Sequence, residues 1–277
     1  MTEILTPPLS HDEYIIVEGT ATRYTNYSSI YVLLEWIPAS NVLYYNIYRS
    51  IQQGGEYSLI ASSIETSFYL DTDAPQYKGS ISGLDYTYKI APVNSLGIET
   101  PLEYLPEIHI SNKISEGIMP MDKIAEEILR RHTLILKTDG IYADIYVRKV
   151  AGEYCDCFDP YREAPSKTCL KCYGTGIVGG FIKFENQLVR IAQGNYGIRI
   201  QRVAPGLSIQ TTPSSWILNY PVLNVGSVIV EKGTNKRWLV SEVSKVFFAG
   251  YVTRQEFTPI LIQPSDILYK LGEQNGR

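Results

Sequence analysis

The sequence of 277 residues lacks the signals that would place it in a membrane or outside the cell. No apolar run approaches the roughly eighteen residues that a membrane-spanning helix needs, so we expect no membrane partner. The first ten residues, MTEILTPPLS, contain neither the basic start nor the apolar centre of a signal peptide. We therefore expect no signal peptide at the start of the chain.

Motifs for catalysis are also missing. The chain contains no Walker loop, no G-x-S-x-G, no H-E-x-x-H and no G-x-G-x-x-G after a strand. Its three histidines, His11, His109 and His132, lie on three separate segments, and no two of them are close in sequence. Because catalysis needs a nucleophile, a base and charge-stabilising donors together, we predict no enzymatic activity, no catalytic residue and no organic cofactor.

Cysteine is scarce, but its four copies all lie within eighteen residues. Cys155 and Cys157 form a C-x-C pair, and Cys169 and Cys172 form a C-x-x-C pair. Two thiolate pairs on tight turns, joined by a short loop, supply the four ligands of a tetrahedral zinc ion. The glycines at 174 and 176 would let the backbone approach the sulfurs at positive φ. The spacing therefore predicts one structural Zn²⁺ in a closed site, which cannot activate water.

Other uses of four clustered cysteines remain open at this stage. A rubredoxin-type iron site needs the same four thiolates, and sequence alone does not separate zinc from iron. Two disulfides, or four free thiols, are further alternatives. Disulfides are typical of exported chains, so the missing signal peptide favours a metal.

Charge is distributed unevenly along the chain. Residues 1–112 contain 4 Lys+Arg and 13 Asp+Glu, a net charge of −9, whereas residues 113–277 contain 21 and 16, a net charge of +5. An acidic front and a mildly basic rear indicate separate domains in different surroundings. Aromatic residues are mostly tyrosine, 22 against 7 phenylalanines, which suits half-buried strands.

The front of the chain alternates in the manner of short strands. The clearest segments are residues 30–36, 44–49, 67–70 and 86–90, separated by turn residues, and this spacing predicts a β-sandwich. Trp36, the segment YNIYRS with Arg49, and GLDYTYKIAPVNSLGIET together resemble a fibronectin type III module. The resemblance implies that Trp36 packs in the core and that the module binds or spaces and does not catalyse.

A helix is predicted after this module. Met121, Ile124, Ala125, Ile128 and Leu129 follow helical spacing over residues 121–132, which predicts one apolar stripe against a core. The strand-like residues 133–137 and 141–148 flank the turn signal Asp139-Gly140. This pattern predicts a β-hairpin after the helix.

The rear of the chain predicts a small β-barrel, because its strands follow one another without a helix. The expected strands are 182–184, 197–203, 227–231, 237–244 and 247–257, with turns at 232–235 and 249–250 and a closing piece at 266–269. The predicted fold class is mainly β, with a fibronectin type III-like sandwich at 1–112, a helix plus hairpin at 113–150, a four-cysteine zinc-binding loop at 151–180 and a barrel at 181–277.

The order of parts over about residues 120–270 carries a second resemblance. EILRRHTLILKTDG, the cysteine segment ending in GTG-x-x-GG and the late D-I-x-Y stretch look like neck or connector-type virion proteins of tailed bacteriophages. The resemblance implies a non-enzymatic structural protein at the head–tail junction, located in the virion after assembly in the host cytoplasm. It also implies a ring of identical copies that contacts portal, adaptor or tail proteins, with the sandwich facing outward.

Two rival interpretations stay open. The first is a zinc-containing nucleic-acid-binding protein whose basic barrel face would contact phosphates, packaged DNA included. That face would consist of Arg190, Arg199, Arg202, Lys232, Lys236, Arg237 and Arg254. A solvated or subunit-contacting face is the favoured interpretation of these residues. The second rival, a cell-surface adhesion protein, would require the missing export signal.

Overall fold

The computed structural model describes most of the chain. The described residues are 14–26, 29–50, 55–73, 86–110, 121–159, 161, 164–192, 199–204, 207–211, 215–248 and 251–272. The backbone alone is described at 22–26, 29–30, 121–123, 126, 199–204, 207–211 and 251. None of the helices in these ranges is long and apolar enough to cross a membrane.

Strands dominate the described ranges. In chain order the strands are β1 (Gly19–Asn26), β2 (Ser29–Trp36), β3 (Val42–Ser50), β4 (Ser58–Ile64), β5 (Phe68–Asp71), β6 (Thr87–Asn94), β7 (Ile108–His109), β8 (Ile141–Arg148), β9 (Phe158–Asp159), β10 (Ala164–Pro165), β11 (Phe181–Arg190), β12 (Arg199–Ala204), β13 (Leu207–Thr211), β14 (Ser215–Ile217), β15 (Val228–Glu231), β16 (Arg237–Phe248) and β17 (Tyr251–Leu261). One α-helix, α1 (Met121–Asp139), lies between β7 and β8, and short 3-10 turns cover Leu102–Tyr104 and Ile267–Lys270.

Strands β1 to β7 form the front module. Its sheets have the orders β1-β2-β5 and β4-β3-β6-β7, and buried residues of both sheets share one apolar cluster. Trp36 belongs to that cluster and packs edge-on against Tyr45, with ring centroids 5.1 Å apart. The predicted core position of Trp36 is therefore confirmed, and each of the four predicted front strands is present with shifted ends.

The predicted hairpin at Asp139-Gly140 is wrong, because the helix continues through residues 133–137 to Asp139. Leu136 is fully buried and extends the apolar stripe of Ala125 and Leu129, so tertiary burial outweighs the strand preference of this segment. Gly140 ends the helix, since its N–H donates to the carbonyl of Leu136 at 2.9 Å. A Cβ at Gly140 would lie 2.3 Å from that same oxygen.

The rear strands form a closed six-stranded barrel in the order β11-β14-β17-β16-β15-β8, which confirms a barrel but corrects its boundary. Strand β8 precedes the cysteines and belongs to the barrel, so the barrel is not confined to 181–277. Strand β12 replaces the expected strand 197–203, and it pairs with β13 outside the barrel. Strand β14 was not predicted, and the expected turn at 249–250 lies outside the described residues.

The predicted closing piece at 266–269 corresponds to the 3-10 turn Ile267–Lys270, which follows the last barrel strand, β17. Asp266 caps it by accepting a hydrogen bond from the N–H of Leu268 at 2.9 Å. The buried guanidinium of Arg237 donates to the carbonyls of Leu268 and Leu271 at 2.8 and 2.7 Å. A buried cation is therefore used to hold the last turn against the barrel.

The front module and the barrel contact each other through an apolar interface. Leu33 and Phe68 of the front module are buried in the same cluster as the barrel residues Ile145, Val189 and Ile217. At the edge of this contact, Lys245 of β16 forms an ion pair with Glu35 of β2. The two predicted domains are therefore packed together.

Candidate metal centre

The four cysteines lie in the connection between β8 and β11, which we call the cysteine loop (residues 149–180). Both strands are neighbours in the barrel, with Arg148 opposite Phe181. The N–H of Lys149 donates to the carbonyl of Gly180 at 3.0 Å and closes the base of the loop. The cysteine loop is therefore an insertion between two paired barrel strands.

The second cysteine pair lies on a tight turn. The N–H of Tyr173 donates to the carbonyl of Cys169 at 2.8 Å, and the N–H of Thr175 donates to that of Cys172 at 3.0 Å. Gly174 and Gly176 have φ of +77° and +86°. Their predicted positive φ is confirmed, and an L side chain would be strained at both positions.

The first pair lies on its own turn, which is attached to the second. The N–H of Phe158 donates to the carbonyl of Cys155 at 2.8 Å, and the N–H of Ser166 donates to that of Cys157 at 3.3 Å. The N–H of Cys155 donates to the carbonyl of Gly176 at 2.8 Å, which ties the two turns together. The C-x-C spacing thus presents its two thiols beside the C-x-x-C turn.

The four sulfur atoms converge on one point. All four lie within 4.8 Å of one another, and close separations join the two pairs. Cys155 and Cys169 are 3.6 Å apart at Sγ, and Cys157 and Cys172 are 3.4 Å apart. A tetrahedral Zn²⁺ with bonds of about 2.3 Å places its sulfurs about 3.8 Å apart, whereas a disulfide requires about 2.05 Å. The donor set fits a tetrahedral thiolate metal.

The surroundings of the thiols favour ionisation unequally. The pKa of the Cys169 thiol is lowered to about 6, chiefly because the N–H of Cys172 donates to its sulfur, with contributions from the Cys157 side chain and the N–H of Lys171. Burial raises the pKa of the Cys157 thiol to about 12. Amide donation thus favours the thiolate of Cys169, and a bound cation would offset the burial that disfavours the thiolate of Cys157.

Residues of the front module hold the cysteine loop, and sequence reasoning missed them. The carbonyl of Glu65 accepts hydrogen bonds from the N–H groups of Val150 and Ala151 at 3.0 and 3.2 Å, and the carbonyl of Val42 accepts one from Gly152 at 3.2 Å. The side chain of Glu65 also forms an ion pair with Lys149 at 2.5 Å. These contacts join residues 84 or more positions apart, so no local pattern could have shown them.

The two histidines within the described residues, His109 and His132, are not brought together. His11 lies outside the described residues. His109 is exposed on β7, 3.9 Å from a carboxylate oxygen of Glu107. His132 is on α1, where its ring centroid is 5.4 Å from that of Trp216, and burial lowers its pKa.

The basic residues proposed as one barrel face have separate partners wherever their side chains are described. Arg190 pairs with Asp139 at 2.8 Å, Lys232 with Asp144 at 3.1 Å and Arg254 with Glu256 at 2.5 Å. Arg237 is buried under the last turn, and Lys236 also has a partner. The side chains of Arg199 and Arg202 are not described.

Comparisons with known proteins give partial similarities. No protein-family model matches the chain. It is 26% identical over 117 residues to an amylopullulanase of Thermoanaerobacterium saccharolyticum, covering 41% of this chain and 8% of that protein. It is 29% identical over 96 residues to an amylopullulanase of Thermoanaerobacterium thermosulfurigenes, covering 35% and 4%. The chain therefore spans less than a tenth of the length of these relatives.

One solved structure is also similar in part. It is a Fn3-like protein from Clostridium thermocellum, 28% identical, which matches 36% of this chain and 93% of its own, with a TM-score of 0.28.

Proposed function

We propose that this chain is a non-enzymatic structural protein of the head–tail junction of a tailed bacteriophage, stabilised by one Zn²⁺ and assembled as a ring. The support is the sequence resemblance over about residues 120–270, together with the metal centre. In this proposal the barrel and the cysteine loop dock on a portal, adaptor or tail protein. The front module, a fibronectin type III-type sandwich, projects outward and carries an excess of acidic residues.

The observation that carries the proposal is the position of the cysteine cluster at the junction of both modules. Cys155, Cys157, Cys169 and Cys172 offer four sulfurs to one point, and four thiolates leave a zinc ion no position for substrate or water. The cysteine loop is hydrogen-bonded at its base, beside β8 and β11, and to Glu65 and Val42 on the other side. A metal bound in this arrangement would stabilise the cysteine loop between the barrel and the front module.

Zinc would supply four coordinate bonds to a loop whose buried apolar residues are only Ala151, Cys155 and Cys172 among those described. The four cysteines would hold the ion, and the amide donors around Cys169 would favour its thiolate. Apolar contacts inside the loop are few, with Tyr154 and Phe158 the main pair, at a ring-centroid distance of 4.8 Å. A segment with so little apolar burial depends on metal binding for its folding free energy.

The same geometry supports the proposed lack of activity. Within the described residues, the two histidines are on β7 and α1, and neither contacts a serine or cysteine nucleophile in the hydrogen bonds of the structure. The cysteines, the strongest nucleophiles of the chain, would be occupied by the metal. We therefore expect no hydrolysis of nucleotide, peptide or glycan substrates.

The test uses the full-length chain and the virion of the phage that encodes it. We expect light scattering after gel filtration to give a multiple of the 31.2 kDa chain, and negative-stain images to show rings. An antibody against the chain should label the neck of intact virions. A chain that stays monomeric at all concentrations and is missing from virions would overturn the proposal. Retardation of DNA in a gel shift would favour the nucleic-acid-binding alternative.

The amylopullulanase similarity favours a second candidate, an accessory or spacer module of a polysaccharide-degrading system. It rests on 35% to 41% of this chain. Affinity electrophoresis in gels containing starch or pullulan separates the two candidates. Retardation of the full chain would favour the accessory module, and unchanged mobility with ring formation favours the virion protein.

A further inference from the structure

A wide groove of about 1230 Å³ lies where the front module meets the barrel. Its walls are strand β1 and the end of β2 on one side, and on the other the end of β16 with the segment before β15. The lining residues used below are Glu18, Glu35, Ile37, Glu107, Val225, Lys245 and Phe247. The groove is separate from the cysteine cluster, since none of the four cysteines lines it.

The groove has large apolar side chains that the described chain leaves uncovered. Ile37, Val225 and Phe247 have exposed fractions of 71%, 61% and 60%. They come from three distant segments, and all three line this one groove. Apolar side chains gathered in this way on a water-facing surface mark an interaction site.

The charge at the groove is predominantly acidic. Three carboxylates, those of Glu18, Glu35 and Glu107, line it, against one lysine and His109, whose ring lies 3.9 Å from Glu107. That lysine, Lys245, is already paired with Glu35. A partner with positive charge and apolar side chains would therefore complement the groove best.

One segment of the chain itself has this chemistry. Strands β12 and β13 form a hairpin in the connection between the barrel strands β11 and β14. Within the described ranges the two strands pair with each other and join no other sheet. Residues 191–215 contain Arg199 and Arg202, no Asp or Glu, and a series of aliphatic residues. The hairpin is basic and apolar, while the groove is acidic and apolar.

We propose that the groove of one copy binds the β12–β13 hairpin of the next copy. This inference rests on the proposed self-assembly and names its contact. The positive charge that Arg199 and Arg202 give the hairpin complements the carboxylates of Glu18 and Glu107 in the neighbouring copy, and its aliphatic composition complements the apolar lining. Two different surfaces of the chain meet in such a contact, so it is head-to-tail and closes into a ring when the rotation per copy allows.

A charge swap tests the proposal. The groove variant is Glu18→Arg with Glu107→Arg, the hairpin variant is Arg199→Glu with Arg202→Glu, and a third chain combines both pairs. The control reverses the charge of two exposed carboxylates of the front module outside the groove, Glu56→Arg with Glu103→Arg. Sedimentation velocity measures self-association of each full-length chain, and thermal melting confirms that each variant is folded.

We expect the groove variant and the hairpin variant each to self-associate at least about tenfold more weakly than the wild type, because like charges then oppose each other. Mixed in equal amounts, the two variants should assemble together in alternation, since both contacts between unlike copies join opposite charges, one in the wild-type sense and one in the swapped sense. The combined chain should assemble again, and the control should assemble like the wild type.

Several outcomes would overturn the inference. If both single variants assemble like the wild type, the contact lies elsewhere, while the proposed structural role survives. A folded combined chain that stays dissociated would likewise place the contact elsewhere. If the groove variant loses assembly but the hairpin variant does not, the groove binds another basic occupant, such as a different virion protein. If the wild type and the control never associate, the inference and the ring of the proposed function fail together.

Discussion

Phe68 of the front module packs edge-on against Tyr220 of the barrel segment, with ring centroids 6.0 Å apart and ring planes at 86°. Phe184 of β11 completes the aromatic group, 6.1 Å from Phe68 and 5.8 Å from Tyr220. Such edge-to-face pairs stabilise beyond their buried area by about 0.5–1.5 kcal/mol. The junction between front module and barrel is therefore a specific apolar contact.

The front module should still fold when isolated, as residues 1–112, because both sheets surround their own cluster with Trp36. Its unfolding in urea should be a single cooperative transition. The isolated fragment exposes Leu33 and Phe68, so Leu33→Ser with Phe68→Ser should raise its solubility while it lowers the stability of the full chain. A fragment without a cooperative transition would mean that the module needs the barrel to fold.

The full chain should contain about one zinc per copy when purified without chelator, measured by plasma mass spectrometry. Cys169→Ser should lose the metal and expose residues within 151–180 to protease, because the loop has little apolar burial of its own. Thr168→Ser, one residue away, is the matched control and should keep the metal. Iron in place of zinc would identify a rubredoxin-type site, and protein without stoichiometric metal would end the metal proposal.

Gly180→Ala should destabilise the cysteine loop more than a positive φ alone explains. Gly180 has φ of +64°, and a Cβ there would lie 2.5 Å from the carbonyl oxygen of Cys172. Gly97→Ala is the control, since Gly97 has φ of +78° with nothing within 4 Å of the added Cβ. Both variants carry the backbone strain of about 1–2 kcal/mol, but only Gly180→Ala should lower metal retention in a chelator competition assay. Equal retention in both variants would contradict the close-contact argument.

Trp36→Ala should lower the free energy of unfolding by about 3–5 kcal/mol, as expected for a large buried aromatic side chain. The neighbouring substitution Ile37→Ala should change it by less than about 0.5 kcal/mol, because Ile37 is 71% exposed. Urea denaturation of both full-length variants measures the difference. Similar effects at both positions would place Trp36 outside the core of the front module.

Protonation of His132 should destabilise the fold. The pKa of His132 is lowered below its usual value, mainly because its ring is buried beside Trp216. The unfolded chain therefore binds the proton more readily than the folded chain. Stability therefore rises with pH through the interval between the lowered pKa and about 6.5, and it is lost as pH falls through that interval. His132→Phe should reduce this slope between about pH 5 and pH 7.5 in urea denaturation, whereas His109→Phe, on an exposed residue, serves as the control. An unchanged slope in His132→Phe would contradict the assignment.

The local patterns of the sequence predicted much of the architecture. Alternating residues placed the four front strands, and the resemblance to a fibronectin type III module placed Trp36 in their core. The cysteine spacing predicted the cluster, because two short chelating turns can converge without help from the rest of the chain. The glycines at 174 and 176 have the positive φ that their proximity to the thiols indicated.

Long-range contacts explain what the sequence did not show. The segment 133–137 has strand-forming residues, yet Leu136 is buried and keeps it helical. Strand β8 belongs to the barrel because it pairs with β11 and β15. Both partners follow the cysteine loop in sequence, so the segment before the loop carries no local sign of this pairing. The groove likewise combines Ile37, Val225 and Phe247 from distant segments. A local sequence pattern does not show that residues so far apart in sequence are close in the fold.

The insertion of the cysteine loop between two neighbouring barrel strands separates two evolutionary pressures. Arg148 and Phe181 remain paired at its base, and the ladder of β8 and β11 continues below them. The loop can therefore change in sequence or length while the barrel retains its closure. Substitutions in the loop are constrained by its four thiols and by its contacts with Glu65 and Val42, whereas substitutions in β8 and β11 are constrained by the closure of the barrel.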